Sequence, residues 1–290
     1  MLTTQNLIGF LKASRPINLL ISFLTFSVAA YFSFLYSFQF LYEPLFWLQA
    51  SSILIIAAAG YLVNDLYDYK IDLINKPHKT YVNIYASAKK FWTLYFLLNL
   101  IAFFLSFQLP FKFFFINLLS IFLLFTYAYY FKRYAIIGNL IISTLAALVI
   151  ISGGLLKHIK LPLMWMTIFA FLITLIREIV KDVEDINGDL QNQLKTLPIL
   201  AGLRLTQFII IALVAVLMLS IPLPFIFHYL LFREFLWSYL ASGILLVIIP
   251  LLYVLKILMY HGFHIRKYSK VSALLKAVML GGIFSCFFLK

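Results

Sequence analysis

The chain has ten acidic residues, and eight of them fall into two short stretches, NDLYDYKID at 64–72 and REIVKDVEDINGD at 177–189. In the first, Asp65, Asp68 and Asp72 are spaced three then four; Asp182, Asp185 and Asp189 repeat that spacing 117 residues later. Intervals of three and four bring side chains to one face of a helix, so each stretch is expected to present a stripe of carboxylates. Two carboxylates 4 Å apart repel by about 1 kcal/mol in water and by about 4 kcal/mol at an effective dielectric near 20. Such stripes stay ionised only beside strong positive charge. Oxygen ligands without His or Cys suit a hard cation, Mg2+ rather than Zn2+. Mg2+ held by a few carboxylates commonly completes its shell with phosphate oxygens. Lys76, His78, Lys79, Lys132, Arg177 and Lys181 could hold the remainder of a polyanion. The chemistry these residue types favour is a metal-bridged phosphate or diphosphate above an apolar cavity.

The elements that must position them belong to a membrane. The 290 residues are 64% hydrophobic and 11% charged, against roughly 45–50% and 25% in soluble domains. So few charges could not cover a soluble globule, and disorder or a collagenous chain is excluded by the same figures. The single Cys286 can form no internal bridge, which removes a disulfide scaffold. A bilayer span needs about 20 apolar residues. Nine runs qualify, near 17–36, 44–63, 91–109, 111–131, 135–156, 161–178, 205–227, 236–256 and 271–289. Lipid offers an exposed backbone group no partner, so each is expected to be a helix. The expected fold is all-α: a polytopic bundle of about nine transmembrane helices, with residues 1–290 as one domain. The apolar run continues well past Ala30, which favours a first span over a cleavable leader.

In a soluble protein the net charge of +13 would suggest nucleic acid; here it reads as topology, and no nucleic-acid partner is expected. Basic residues gather before the first run and on alternate connections. They are Lys12 and Arg15; Lys70, Lys76, Lys79, Lys89 and Lys90; Lys132 and Arg133; Arg177, Lys181, Lys195 and Arg204; and Lys256, Arg266, Lys267 and Lys270, together 17 of the 23. The positive-inside rule puts the amino terminus and both aspartate stretches in the cytoplasm. Trp47, Trp92, Trp165 and Trp237 each stand near the start of a run, where an interfacial belt would place them.

At this level of detail the chain resembles the UbiA superfamily of intramembrane prenyltransferases. Asn64, Asp68 and Asp72, followed by Asn75-Lys76-Pro77, look like its first aspartate-rich motif. Lys181, Asp185 and Asp189, with Gly188 before the last, look like its second. Smaller matches are Arg15-Pro16 with Asn18, Tyr127, Lys132, Gly138-Asn139 and Thr196-Leu197-Pro198. Where the first motif usually continues with a second basic-Pro pair, Lys79-Thr80-Tyr81-Val82 stands instead.

The resemblance implies an enzyme that moves a prenyl group from a prenyl diphosphate to a lipophilic acceptor, with two Mg2+ ions bridging the motifs to the diphosphate. It implies Asp68, Asp72, Asp185 and Asp189 as catalytic metal ligands with Asn64, and Asp65 and Asp182 as outer or bridging ligands. Arg15, Asn18, Lys76, Lys79, Tyr127, Lys132, Arg177 and Lys181 would bind substrate. The second motif is most similar to that of family members making archaeal-type ether lipids. The favoured acceptor is therefore geranylgeranylglyceryl phosphate, with an aromatic acceptor of quinone-type pathways as the alternative. No single aromatic ring among 31 Phe and 18 Tyr is singled out by spacing for the prenyl cavity. Two other classes are weighed. A CDP-alcohol phosphotransferase would need an Asp-Gly-x-x-Ala-Arg run, absent from both stretches. A transporter would carry its charges near mid-membrane, not at helix ends.

Overall fold

The computed structural model describes residues 3–260 and 266–289, apart from the side chains of Lys79 and Arg266. Among the described residues, nine helical segments are long and apolar enough to cross a membrane. Helix α1 (Thr4–Ala13) precedes them. The first six spans are α2 (Pro16–Ser33), α3 (Pro44–Asn75), α4 (Ala88–Phe107), α5 (Phe111–Tyr129), α6 (Ile137–Gly154) and α7 (Leu161–Glu184). After the short α8 (Ile186–Gln191), α9 (Leu197–Ser220) and α10 (Leu223–Phe232) make the seventh. Helix α11 (Trp237–Gly243), a π-helical turn and α12 (Ile249–Tyr260) make the eighth, and α13 (Arg266–Cys286) the ninth.

Each span coincides with one of the nine apolar runs, and the prolines mark the joints. Pro110 caps α5 directly after α4, and Pro222 precedes α10, whose apolar stretch runs on to Phe232. Gly202 sits at φ +77° inside α9, a left-handed backbone that only glycine adopts cheaply, and it kinks the helix near its start. Outward-facing Phe104, Phe107, Phe111 and Phe122 are exposed. Such an apolar exterior is stable only against lipid.

Two apolar cores hold the bundle. One joins α7, α9, α12 and α13 through Ile176, Val180, Ile210, Val214, Leu251 and Val271. The other joins α2, α3 and α6 around Phe26, Phe32, Phe46 and Ile150. A Cβ on Gly153 would lie 2.5 Å from that of Ala29, so this glycine lets α6 and α2 approach closely. At this same end a buried polar cluster is satisfied within itself: Gln49 donates to Asn117 (3.0 Å) and Ser152 (2.8 Å), while Asn117 donates to Gln49 (3.0 Å) and Ser106 (2.9 Å).

Helix length places the carboxylates. At 1.5 Å per residue the hydrocarbon core consumes about 20 residues. Counting from Pro44, Asp65 is residue 22 of α3 (65 − 43); counting from Leu161, Asp182 is residue 22 of α7 (182 − 160). Both motifs therefore begin where their helices leave the apolar layer. Three spans, α4, α5 and α6, lie between the two helices, so α3 and α7 run in the same direction and end on the same face.

Candidate active site

A cavity of about 480 Å3 lies between α2, α3, α5, α6, α7 and α13. Along α3 it extends from Gln49 to Asp72, about 35 Å of helix. Aliphatic side chains such as Ile53, Ile56, Leu124 and Val149 form its body. Polar side chains of both motifs stand at the end reached by the carboxyl ends of α3 and α7.

The first wall is built at the joint of α1 and α2. Pro16 opens α2 and forbids the residue before it an ordinary helical backbone; Arg15 takes φ 53°, ψ 65°. That turn brings its guanidinium to Asp65, 2.6 Å away, and over the Tyr61 ring at 4.9 Å. Burial disfavours the Arg15 charge, but Asp65 together with Tyr61, Asp68 and Asp72 outweighs it and the pKa is raised. Asn18, one turn into α2, also lines the cavity.

The second wall is the carboxyl end of α3 with the α5–α6 connection. Asp68 accepts from Asn64 Nδ2 (2.6 Å) and pairs with Lys132, which sits on a 3-10 turn, Phe131–Arg133. Gly138 makes room for that turn: a Cβ there would lie 3.2 Å from the Phe131 carbonyl and 3.1 Å from the Tyr127 ring. Burial works against the Lys132 ammonium, yet Asp68, Tyr127 and Asp185 together prevail and raise its pKa. The Lys195 N–H donates to the Arg133 carbonyl (2.9 Å), tying this connection to the chain after α8.

The third wall departs from the sequence expectation. Asp182, Asp185 and Asp189 do not share one helical stripe, because α7 ends at Glu184, Asp185 stands at the break with φ −97°, ψ 6°, and Asp189 belongs to α8. Each carboxylate has its own partner. Asp182 accepts from Asn139 Nδ2 (2.8 Å), and Asp189 from Thr196 (3.3 Å). Asp185 accepts from Lys76, whose Nζ is 2.9 Å from Oδ2 and 2.6 Å from Oδ1. Asp189 is buried and, unlike Asp182 and Asp185, is not on the cavity wall. Burial pushes its carboxyl up to about 6, Asp185 and Asp68 adding to the rise and Lys132 opposing it. Negative charge from both motifs thus converges here, which is what a cation would relieve.

Deeper on α7, Glu178 accepts from Lys181 (2.5 Å) and from Arg177 Nη1 (3.1 Å). Thr174 Oγ1 and Arg177 Nε beside them are buried without hydrogen-bond partners. The expected substrate-binding residues with described side chains, Arg15, Asn18, Lys76, Tyr127, Lys132, Arg177 and Lys181, all line this one cavity. The side chain of Lys79 lies outside the described residues.

Among the described residues no three carboxylate, His or Cys groups form a ready metal cluster, since Lys76, Lys132, Arg15 and Asn139 hold the carboxylates instead. The donor chemistry still fits Mg2+: Asn64, Asp68, Asp72 and Asp185 present only oxygen ligands to the cavity. Sequence reasoning left Asn139 and Thr196 without a role, although both fall in matched short motifs. It missed Glu178 as the counter-charge of Arg177 and Lys181. Tyr61 carried no signal at all, because only the fold brings its ring beneath Arg15.

The UbiA prenyltransferase family model matches residues 19–263. The digeranylgeranylglyceryl phosphate synthase of Sulfolobus acidocaldarius is 34% identical over 266 residues, covering 88% of this chain and 89% of that one. Its namesake from Saccharolobus solfataricus is 35% identical over 248 residues, covering 81% and 84%. A solved structure concerned with digeranylgeranylglyceryl phosphate synthase in membranes superposes with TM-score 0.72 at 25% identity, covering 98% of each chain. A UbiA homolog from Archaeoglobus fulgidus, bound to GPP and Mg2+, has the same fold at TM-score 0.67 and 18% identity, covering 95% and 99%. With nine apolar helices among its described residues and two aspartate motifs, this chain belongs to the UbiA prenyltransferase family and is a multi-pass membrane prenyltransferase.

Proposed function

We propose that the chain transfers a prenyl group from a prenyl diphosphate to geranylgeranylglyceryl phosphate, with Mg2+ as the cofactor. The observation that carries this reading is the meeting of both aspartate motifs with Lys76 and Lys132 at one end of an aliphatic cavity. The acceptor follows the curated relatives, whose names specify digeranylgeranylglyceryl phosphate as product.

In this reading Asp68, Asp72 and Asp185, with Asn64 beside them and Asp189 behind, hold two Mg2+ ions. Asp65 and Asp182, already engaged by Arg15 and Asn139, act as outer ligands. Bound Mg2+ supplies charge neutralisation of the diphosphate as the allylic carbon–oxygen bond breaks. Lys76 and Lys132 exchange their carboxylates for phosphate oxygens, and Lys79 joins them. Arg177 and Lys181 extend this positive wall. Arg15 and Asn18, at the start of α2, take the phosphate of the acceptor. The aliphatic body, closed by Tyr61 and Tyr127 near the reacting end, holds the prenyl chain and excludes water from the allylic cation. The acceptor hydroxyl attacks C1 of the donor: one ether bond forms, the bond to diphosphate breaks, and pyrophosphate and a proton leave.

The test is a product assay by mass spectrometry with geranylgeranyl diphosphate and a panel of acceptors. Digeranylgeranylglyceryl phosphate is expected, and EDTA should abolish its formation. Prenylated hydroxybenzoate, homogentisate or dihydroxynaphthoate, with no glyceryl phosphate product, would overturn the acceptor and keep the reaction class.

The 17-to-5 bias of basic residues outside the spans, Lys276 aside, supports an amino terminus and both motifs in the cytoplasm. Cysteines replacing His78 and Asn192 should be labelled by an impermeant thiol reagent from the cytoplasmic side only, and one replacing His158 from the other. Labelling of positions 78 and 192 from opposite sides would rule out a shared site.

A further inference from the structure

Asn75 is the last residue of α3, three positions beyond Asp72, and its side chain reaches across to the second motif. Its Nδ2 donates to the backbone carbonyl of Asp185 (2.8 Å), and its Oδ1 accepts from the backbone N–H of Gly188 (2.9 Å). One amide thus grips both sides of the break between α7 and α8, and does so between Asp185 and Asp189. The Gly188 N–H lies in the first turn of α8, where no carbonyl of that helix can accept it. A primary amide carries a donor and an acceptor on separate atoms, so it can serve both at once. Gly188 is shaped to the grip: a Cβ there would lie 2.4 Å from Asn75 Nδ2 and 3.0 Å from Ile71.

Among the described residues a second polar tie between the two motifs is the Lys76–Asp185 ion pair. That tie uses the carboxylate a metal would need and the ammonium a diphosphate would need. The bonds of Asn75 go to backbone alone, so they persist when those charges change partners. We propose that Asn75 is a positioning residue that fixes the separation of the two carboxylate motifs and thereby the affinity for the divalent cation. This rests on the metal reading given above.

The test uses the full chain purified in detergent. Mn2+ binding is followed by electron paramagnetic resonance without donor, and the Mg2+ concentration for half-maximal prenyl transfer is measured separately. Removing partners that orient metal ligands typically weakens metal binding 10–100-fold. Asn75→Ala is therefore expected to raise both the Mn2+ dissociation constant and the Mg2+ requirement by about tenfold or more. The donor KM at saturating Mg2+ should stay within about threefold, since no substrate contact is removed. Gly188→Ala should act in the same direction by expelling the amide, and the double variant should be no worse than Asn75→Ala alone, a non-additivity that marks one shared interaction. A folded Asn75→Ala chain with wild-type Mn2+ affinity and Mg2+ requirement would overturn the proposal. If Asn75→Ala does not fold, Gly188→Ala alone decides; failure of both to fold would assign the amide to folding and overturn it equally. A wild-type chain that binds no Mn2+ and turns over in excess chelator would instead defeat the metal reading itself.

Discussion

The two aspartate motifs have the same spacing and different backbones. Asp65, Asp68 and Asp72 ride on a single helix of 32 residues that continues to Asn75. Asp182, Asp185 and Asp189 are divided between the end of α7, the break after Glu184 and the six-residue α8. No Gly or Pro interrupts the first motif, whereas the second contains Asn187-Gly188, a poor helix-forming pair. Spacing reports a shared face only while the helix continues. The partners differ accordingly. On α3 the buried Asp65 and Asp68 are countered by cations from other parts of the chain, Arg15 and Lys132. Around α8 neutral groups, Asn75, Asn139 and Thr196, hold the chain and two of its carboxylates. The buried carboxylates of the first motif are thus held by charge, and those of the second, Asp185 with its Lys76 partner apart, by neutral hydrogen bonds.

The comparison predicts first that the two motifs are equal in catalysis despite their unequal backbones. Asp68→Ala and Asp185→Ala should each lower prenyl transfer by roughly 10²–10³-fold or more, the scale for losing a group that stabilises charge in a transition state. Thermal unfolding should confirm that both variants fold. A mild loss in Asp185→Ala beside a severe one in Asp68→Ala would reduce the broken helix to a scaffold.

The two lysines should differ in stability more than in activity. Lys132 serves Asp68, whose side chain is 6% exposed, while Lys76 and Asp185 are 33% and 22% exposed. Removing one partner of a buried pair costs about 3–5 kcal/mol because a charge is stranded. Lys132→Ala should therefore lower stability by about 3 kcal/mol, and Lys76→Ala by less, because its pair with Asp185 is only partly buried. Chemical denaturation in mixed micelles measures both. Equal losses would contradict the division between a charge-held and a hydrogen-bonded motif.

The smallest expected effect lies at the far end of the cavity. Gln49→Leu strands the Asn117 amide and should cost roughly 1–3 kcal/mol. The Mg2+ requirement should not move, because no charge at the motifs changes. A shifted Mg2+ requirement in this variant would show that the polar cluster is coupled to the site along α3.

The nine spans and both motifs were legible in the sequence because lipid leaves the backbone few choices. An apolar run of about 20 residues must be a helix, and ionisable residues cluster where such helices leave the membrane. Within the motifs, the three-and-four rule held for α3 and failed for α7, since helix propensity is a weak prior that local breaks override. Lys132 was legible as a cation near the site, but its pairing with Asp68 came only with the turn that Gly138 permits.

Composition, run length and the repeated aspartates by themselves determined a polytopic bundle with two carboxylate motifs at helix ends. These are local properties, set by the solvent on each side of every residue. Tertiary structure alone decided that Arg15 meets Asp65 over Tyr61, that Asp189 sits behind the cavity wall, and that Asn75 clasps the break beside Asp185. Arg15 and Asp65 stand 50 positions apart, and Asn75 and Asp185 110. Their distances depend on how helices cross and where one of them breaks, which periodicity along a single helix does not encode.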